Sequence, residues 1–187
     1  MKEINVSQMA VCLRHACAQI VSHESELTAI DTVIGDGDHG TGMKLGFSRL
    51  DAMLQQNSFC DMQTLLRSSG LEVRAAQALT AVFTDAADSI SRRGGAKRGD
   101  KTMLDALLGA VDAMQAAEGG DIEAVLQAAQ TGAETGAEAT RHMLPRFGRS
   151  KNFRDQALGY PDAGAVSTAL FFRGLREGLS EQSNQEV

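Results

Sequence analysis

"DKTMLDALLGAVDAMQAAEGGDIEAVLQAAQTGAETGAEATRHML", residues 100–144, reads as two helices and the turn between them. Asp100 stands where it can cap the first. Leu104, Leu107, Leu108, Val111 and Met114 then step by threes and fours, which puts them on one helical face. "EGGD", residues 118–121, ends that helix, and Asp121 starts the next. The second runs to about Leu144, where Pro145 ends it. Its inner face mixes Ile122, Val125, Ala129, Gly132, Gly136, Ala139 and Met143. Glycine inside a helix costs up to about 1 kcal/mol relative to alanine. Small residues there imply that another helix or a ligand comes close.

The same period extends outward. Val6, Met9, Leu13, Cys17, Ile20 and Val21 mark a first helix, and Glu24 to Ile34 a second. Met43, Phe47, Leu50 and Leu54 lie on one side of a third. Asp61 can cap a fourth carrying Leu65 and Leu66. Val73, Ala76, Leu79, Phe83, Ala86 and Ile90 step through an alanine-rich helix, and Asp162 precedes a last one with Val166, Leu170, Leu175 and Leu179. The tail "SEQSNQEV", residues 180–187, is expected to fray. No stretch alternates long enough for a strand. The expected fold is all-α, an antiparallel barrel or bundle of about seven to eight amphipathic helices, with residues 1–187 as a single domain.

Composition removes several functions. A net charge of −6 and the lack of a basic run argue against nucleic acid. No apolar segment is long enough for a membrane span. The N-terminus carries Glu3, Arg14 and His15 among periodic apolar residues and does not read as a signal peptide. Cys12, Cys17 and Cys60 are odd in number, without CxxC spacing, and read as reduced, buried thiols of a cytoplasmic protein.

The chemistry gathers in loops. "IDTVIGDGDHGTGM", residues 30–43, holds Asp31, Asp36 and Asp38 among four glycines, with no Lys or Arg before Lys44. Glycine lets the chain fold back, so the three carboxylates can converge. Hard divalent cations suit such oxygens, and Mg2+ is commonly shared between carboxylates and substrate phosphates. Two such ions would leave a single net positive charge, attractive to a polyphosphate. An EF-hand is excluded, because its twelfth position, counted from Asp36, is Phe47. The alternative is that these aspartates are helix caps and turn formers.

"GGAKRGDKT", residues 94–102, nearly spells a P-loop, but Asp100 stands between Gly99 and Lys101 and no strand precedes it. It reads as a helix–loop–helix junction. Arg92, Arg93, Lys97, Arg98 and Lys101 form a solvated face there or lie near a bound anion. "RFGRSKNFRDQALGYPDAGA", residues 146–165, brings Arg146, Arg149, Lys151 and Arg154 before a helix start at Asp162. Helix N-termini attract anions, and Arg149 can pair with a phosphate in two-pronged fashion. Ordinary surface charge is the alternative. His39 can donate to a phosphate or simply hold its loop. His15, His23 and His142 show no ligand spacing.

Taken together, "LTAIDTVIGDGDHGTGMKLGF", "RGGAKRGDKTMLDAL" and "GRSKNFRDQALGYPDAGA" resemble, in this order, the L subunits of dihydroxyacetone kinases. The resemblance covers nearly the whole chain. It implies a helical barrel with Mg2+, two ions, and ADP or ATP in a pocket at one end. It implies Asp31, Asp36 and Asp38 as metal ligands. His39, Gly40, Thr41 and Gly42 match positions that meet the nucleotide, as do Gly94 and Met103. Arg149 matches an arginine of the pocket, implied to neutralise charge during transfer. Asp162, Ala163 and Gly164 match the helix start beside it, where many relatives have Asp-Pro-Gly.

One departure is larger. Relatives carry a "GGASG"-like loop before the alanine-rich helix, whereas here Ser69-Gly70-Leu71 passes almost directly to Arg74-Ala75-Ala76. Either the protein lacks this phosphate-binding loop or the sequence omits a mobile segment. The second is favoured, because the metal loop is hard to explain without its ligand. An intact mass near 19.8 kDa would establish a true absence.

The resemblance further implies transfer of the γ-phosphoryl to dihydroxyacetone or a related short ketose held on a separate K subunit. The donor is free ATP or a phosphotransferase-system protein that recharges bound ADP. A catalytically idle nucleotide-binding regulatory module is the rival reading.

Overall fold

The computed structural model describes residues 4–56, 75–117 and 119–185. Among them are seven α-helices and no strand. They are α1 (Val6–Ser22), α2 (Glu24–Ile34), α3 (His39–Gln56), α4 (Ala75–Gly94), α5 (Met103–Ala116), α6 (Ile122–Ala139) and α7 (Ala163–Gln185). Three short 3-10 turns, Thr140–His142, Ser150–Asn152 and Arg154–Ala157, carry the chain from α6 to α7. The helix expected from Asp61, Cys60 and the place of the "GGASG"-like loop lie outside the described residues. None of the described helices is long and apolar enough to cross a membrane.

The bundle is antiparallel, and glycines set its tightest crossings. α5 packs along α6, where a Cβ on Gly132 would fall on the carbonyl oxygen of Gly109 and one on Gly136 would fall on that of Asp105. The close approach implied by those glycines is therefore to a helix, not to a ligand. α7 crosses α1 in the same manner, with Gly174 against Ala16 and Gly178 against Cys12. α6 also lies along α7, α3 covers α1, and α2 returns along α3 through the Lys44–Glu24 ion pair at 2.6 Å. The core between them is aliphatic, with Leu13, Leu79, Leu104, Met114, Leu126 and Leu179 buried. Phe83 and Phe172 add a tilted pair at 4.8 Å. Cys12 and Cys17 are free and buried, and burial pushes both thiols up to about 12.

Several ends differ from the sequence reading. α5 is capped by Thr102, not Asp100: Thr102 accepts from the Leu104 amide, and Asp105 reaches back to the Thr102 amide at 2.9 Å. Asp100 caps a turn instead, accepting from the Lys97 amide at 2.8 Å. Asp121 caps α6 as expected, accepting from Ala124 at 3.0 Å. α6 stops at Ala139, short of Leu144: the chain tightens into a 3-10 turn in which the Thr140 carbonyl accepts both the Met143 amide at 3.1 Å and Lys101 Nζ at 2.6 Å. Its buried stripe is Ile122, Val125, Leu126, Ala129, Ala133 and Ala137, with the glycines beside it rather than in it. The expected fray at the C-terminus does not begin at Ser180. α7 runs to Gln185, held by buried Leu179 and by Gln182, which donates to the Gln8 carbonyl at 3.2 Å.

Candidate functional site

Asp31 lies on the last turn of α2 and Asp38 immediately before α3, so one tight turn joins them. Glycine is required there. Gly37 has φ +74°, and a Cβ on Gly35 would overlap the Asp31 carboxylate. The result is convergence: one carboxylate oxygen from each of Asp31, Asp36 and Asp38 lies within 4.8 Å of the other two. Oxygens on opposite sides of one Mg2+ stand about 4 Å apart, so a small contraction seats a cation among all three. Both alternatives left open by the sequence meet in Asp31. Its Oδ2 accepts the His39 amide at 3.2 Å, a capping bond, while its side chain belongs to the acidic cluster.

The missing positive charge comes from the third loop. The Arg149 guanidinium pairs with Asp36 and lies 3.5 Å from Asp38. It therefore sits in the acidic cluster itself.

These groups edge a cavity of about 410 Å3. Asp31, Asp36, Asp38, His39, Gly94, Met103, Arg149, Asp162, Ala163 and Gly164, all proposed from the sequence, line it. Thr41 and Gly42 do not; they line a shallower hollow next to it, with Asp38, His39 and Met43. Gly40 lines neither. It is buried against α2, where a Cβ would strike the Glu24 carbonyl and Thr28. Ile90 and Phe147 also line the cavity and were not singled out. Helical spacing places Ile90 on the stripe with Leu79 and Phe83, yet it is 38% exposed where it lines the cavity. That stripe could have signalled it, since α4 ends at the glycines four residues later.

The far wall is polar and buried. Asp162 accepts the Ala165 amide at 2.8 Å and so starts α7. Burial pushes its carboxyl up to about 6, against the pull of that amide and of Lys101. Gly164 is needed beside it, because a Cβ would come within 3.3 Å of that of Met103. Of the two places open to Lys101, a solvated face is excluded, and it stands among the residues lining the cavity. It is fully buried, and burial holds its ammonium below the ordinary lysine range despite Asp162. His39 is half-buried, with Nε2 3.2 Å from Ser167 Oγ. Burial lowers its pKa, outweighing Asp31 and Asp38. Arg92, Arg93, Lys97 and Arg98 are exposed, and Arg98 pairs with Asp112 at 2.7 Å. Arg146, Lys151 and Arg154 are exposed as well, with Arg146 3.6 Å from Asp100.

The helical bundle carries its acidic loop at the edge of that cavity. The DAK2 domain matches residues 68–177, and the chain belongs to that family of kinases. It is 33% identical over 196 residues to the PEP-dependent dihydroxyacetone kinase, ADP-binding subunit DhaL, of Escherichia coli (strain K12), covering 88% of this chain and 93% of that one. It is 34% identical to the D-erythrulose kinase of Mycolicibacterium smegmatis and 30% identical to the triokinase/FMN cyclase of Mus musculus. Those matches take in 87% and 96% of this chain but only 34% and 36% of the relatives, so the chain spans about a third of their length. The dihydroxyacetone kinase of C. freundii, crystallised with AMP-PNP and Mg2+, has the same fold. The TM-score is 0.68 at 25% identity, over 95% of this chain and 35% of that one. The 196-residue match to the E. coli subunit exceeds the 187 residues of this chain, so that relative carries residues absent here.

Proposed function

We propose that the chain is the nucleotide-holding L subunit of a dihydroxyacetone, or related short ketose, kinase. Residues 1–187 form its single domain, acting in the cytoplasm, and the acceptor sugar is held on a separate K subunit. The observation that carries this reading is the convergence of Asp31, Asp36 and Asp38 on a cavity also lined by Arg149 and the start of α7. Its extent matches the ADP-binding subunit of E. coli, and the C. freundii relative binds AMP-PNP and Mg2+.

Asp31, Asp36 and Asp38 would hold Mg2+, two ions being suited to three carboxylates, and the metal would supply charge to the phosphate oxygens of ADP or ATP. Arg149 is within reach of the same place and is freed when its aspartate partners take a cation. Its guanidinium then pairs with phosphate and neutralises charge that develops during transfer. His39, Gly94, Met103 and residues 162–164 line and shape the nucleotide cavity, with Thr41 and Gly42 at its edge. Ile90 and Phe147 supply apolar wall for the base. Phosphoryl transfer depends mainly on positioning and electrostatics, so no general base on this chain is required. The acceptor hydroxyl is activated on the K subunit. The donor is either free ATP or a phosphotransferase-system protein that recharges bound ADP, as the PEP dependence of the E. coli relative suggests.

A thermal-shift titration with ADP, with and without Mg2+, tests the binding reading: a shift that needs both is expected, and its absence overturns the proposal. One observation favours an idle regulatory module instead, namely the residues absent relative to the E. coli subunit. Mixing the chain with a K subunit and either donor separates the two. Phosphorylated dihydroxyacetone supports the kinase, while tight Mg2+–ADP binding without product supports the module.

A further inference from the structure

Lys101 is the one residue of the basic 92–101 stretch that is wholly buried. Its backbone is in the left-handed region at φ +60°, which side chains other than glycine adopt at a cost. Its Nζ donates to the Thr140 carbonyl and the Tyr160 carbonyl, both at 2.6 Å. Those two partners bracket Asp162. Tyr160 lies two residues before it, and Thr140 Oγ1 accepts the Asp162 amide at 2.9 Å. On its own strand of chain, Lys101 is flanked by a staple: Asp105 accepts the amides of Gly99 at 2.5 Å and Thr102 at 2.9 Å. One ammonium thus joins the turn that starts α5 to the turn that starts α7. Met103 and Ala163, the first residues of those helices, both line the cavity, and Met103 lies against Gly164.

We propose that Lys101 is a positioning residue for nucleotide binding: it fixes the spacing between the α5 and α7 starts by tethering the carbonyls of Thr140 and Tyr160. The inference rests on the nucleotide reading above. Lys101 stands among the residues that line the cavity but has no exposed surface, and its ammonium is engaged by two carbonyls, so it acts through Asp162 and the two helix starts. Methionine matches the length of the stem but cannot donate. Arginine keeps the charge and the donors.

The test is calorimetric titration with Mg2+–ADP of wild type, Lys101→Met and Lys101→Arg, at a low temperature where circular dichroism shows each folded. Lys101→Met is expected to raise Kd about tenfold, as loss of a supporting partner behind a binding shell does, and Lys101→Arg to restore most of it. A folded Lys101→Met with wild-type Kd and only a lowered Tm overturns the proposal and leaves the nucleotide reading standing. Failure of the wild type to bind Mg2+–ADP overturns both. Should Lys101→Met not fold, the wild type labelled with 15N-lysine decides. The Lys101 ammonium signal, assigned by its loss in Lys101→Arg, should move when Mg2+–ADP is added, and a stationary signal refutes the tether.

Discussion

The guanidinium of Arg149 is ion-paired with the carboxylate of Asp36, on the cluster that Asp31 and Asp38 complete. An arginine and a divalent cation therefore compete for the same oxygens. Arg149→Gln should bind Mg2+ more tightly than wild type when no nucleotide is present, because no guanidinium has to leave. The same variant should bind Mg2+–ADP more weakly, having lost a charged partner for phosphate. Titration calorimetry with Mg2+ alone and with Mg2+–ADP reads both, and equal Mg2+ affinity in the two proteins would count against the competition.

Asp36→Asn addresses the cluster from the other side. At a ligand concentration about 100 times Kd, bound nucleotide adds about 2.7 kcal/mol to stability. Wild type should show this gain with Mg2+–ADP, and the variant should lose the Mg2+-dependent part. Asp36 is exposed and pairs with the exposed Arg149, a surface ion pair worth about 0–1 kcal/mol, so the variant without ligand should melt close to wild type. Differential scanning fluorimetry is sufficient to measure it.

Asp162 gives a pH signature. Its carboxyl titrates near 6 in the fold and near the ordinary 3.8 when unfolded. Between those values the folded state holds the extra proton. The stability contributed by this group is therefore present below about pH 4 and is lost as pH rises through about 6. Asp162→Asn, which can still cap α7, removes that dependence. From acid to neutral pH, wild type should lose up to about 3 kcal/mol relative to the variant in denaturant unfolding. Parallel pH profiles for the two proteins would refute the assignment.

Two glycines, both helical, should respond in opposite ways to alanine. At Gly132 the new methyl meets the Gly109 carbonyl and approaches Ala113 Cβ to 2.8 Å. Overpacking of this kind costs about 1–3 kcal/mol, more than the helix propensity gained. At Gly46, on α3, nothing among the described residues lies within 4 Å of the added Cβ. Gly46→Ala should stabilise by about 0.5–1 kcal/mol. Urea midpoints for the two variants, moving to opposite sides of wild type, are the expected result.

Helix period made the architecture readable, because Leu, Ala and Val at steps of three and four leave little choice of face. The ends of helices were less readable, and for a definite reason. Asp100 and Thr102 are both good caps, and what selects Thr102 is Asp105 three residues on, whose carboxylate closes the capping box. Asp100 is already engaged with the Lys97 amide. The length of α6 was overestimated because nothing local to Thr140 announces the 3-10 turn there, in which its carbonyl also receives a lysine 39 residues earlier. The aspartates, Arg149 and Asp162 stood out as candidates through loop composition and family resemblance. That Arg149 meets Asp36, and that Gly40 serves the α2–α3 packing rather than the cavity, are properties of distance between segments, which spacing along the chain does not encode.

With backbone laid on backbone at Gly109 and Gly132, α5 and α6 meet at that crossing through a carbonyl and the Ala113 methyl rather than through long side chains. The hairpin must then tilt or shift as a single plank. Met103 sits at one of its ends and Thr140 just beyond the same end, so a ligand that nudges either one transmits the displacement to the other without bending a helix.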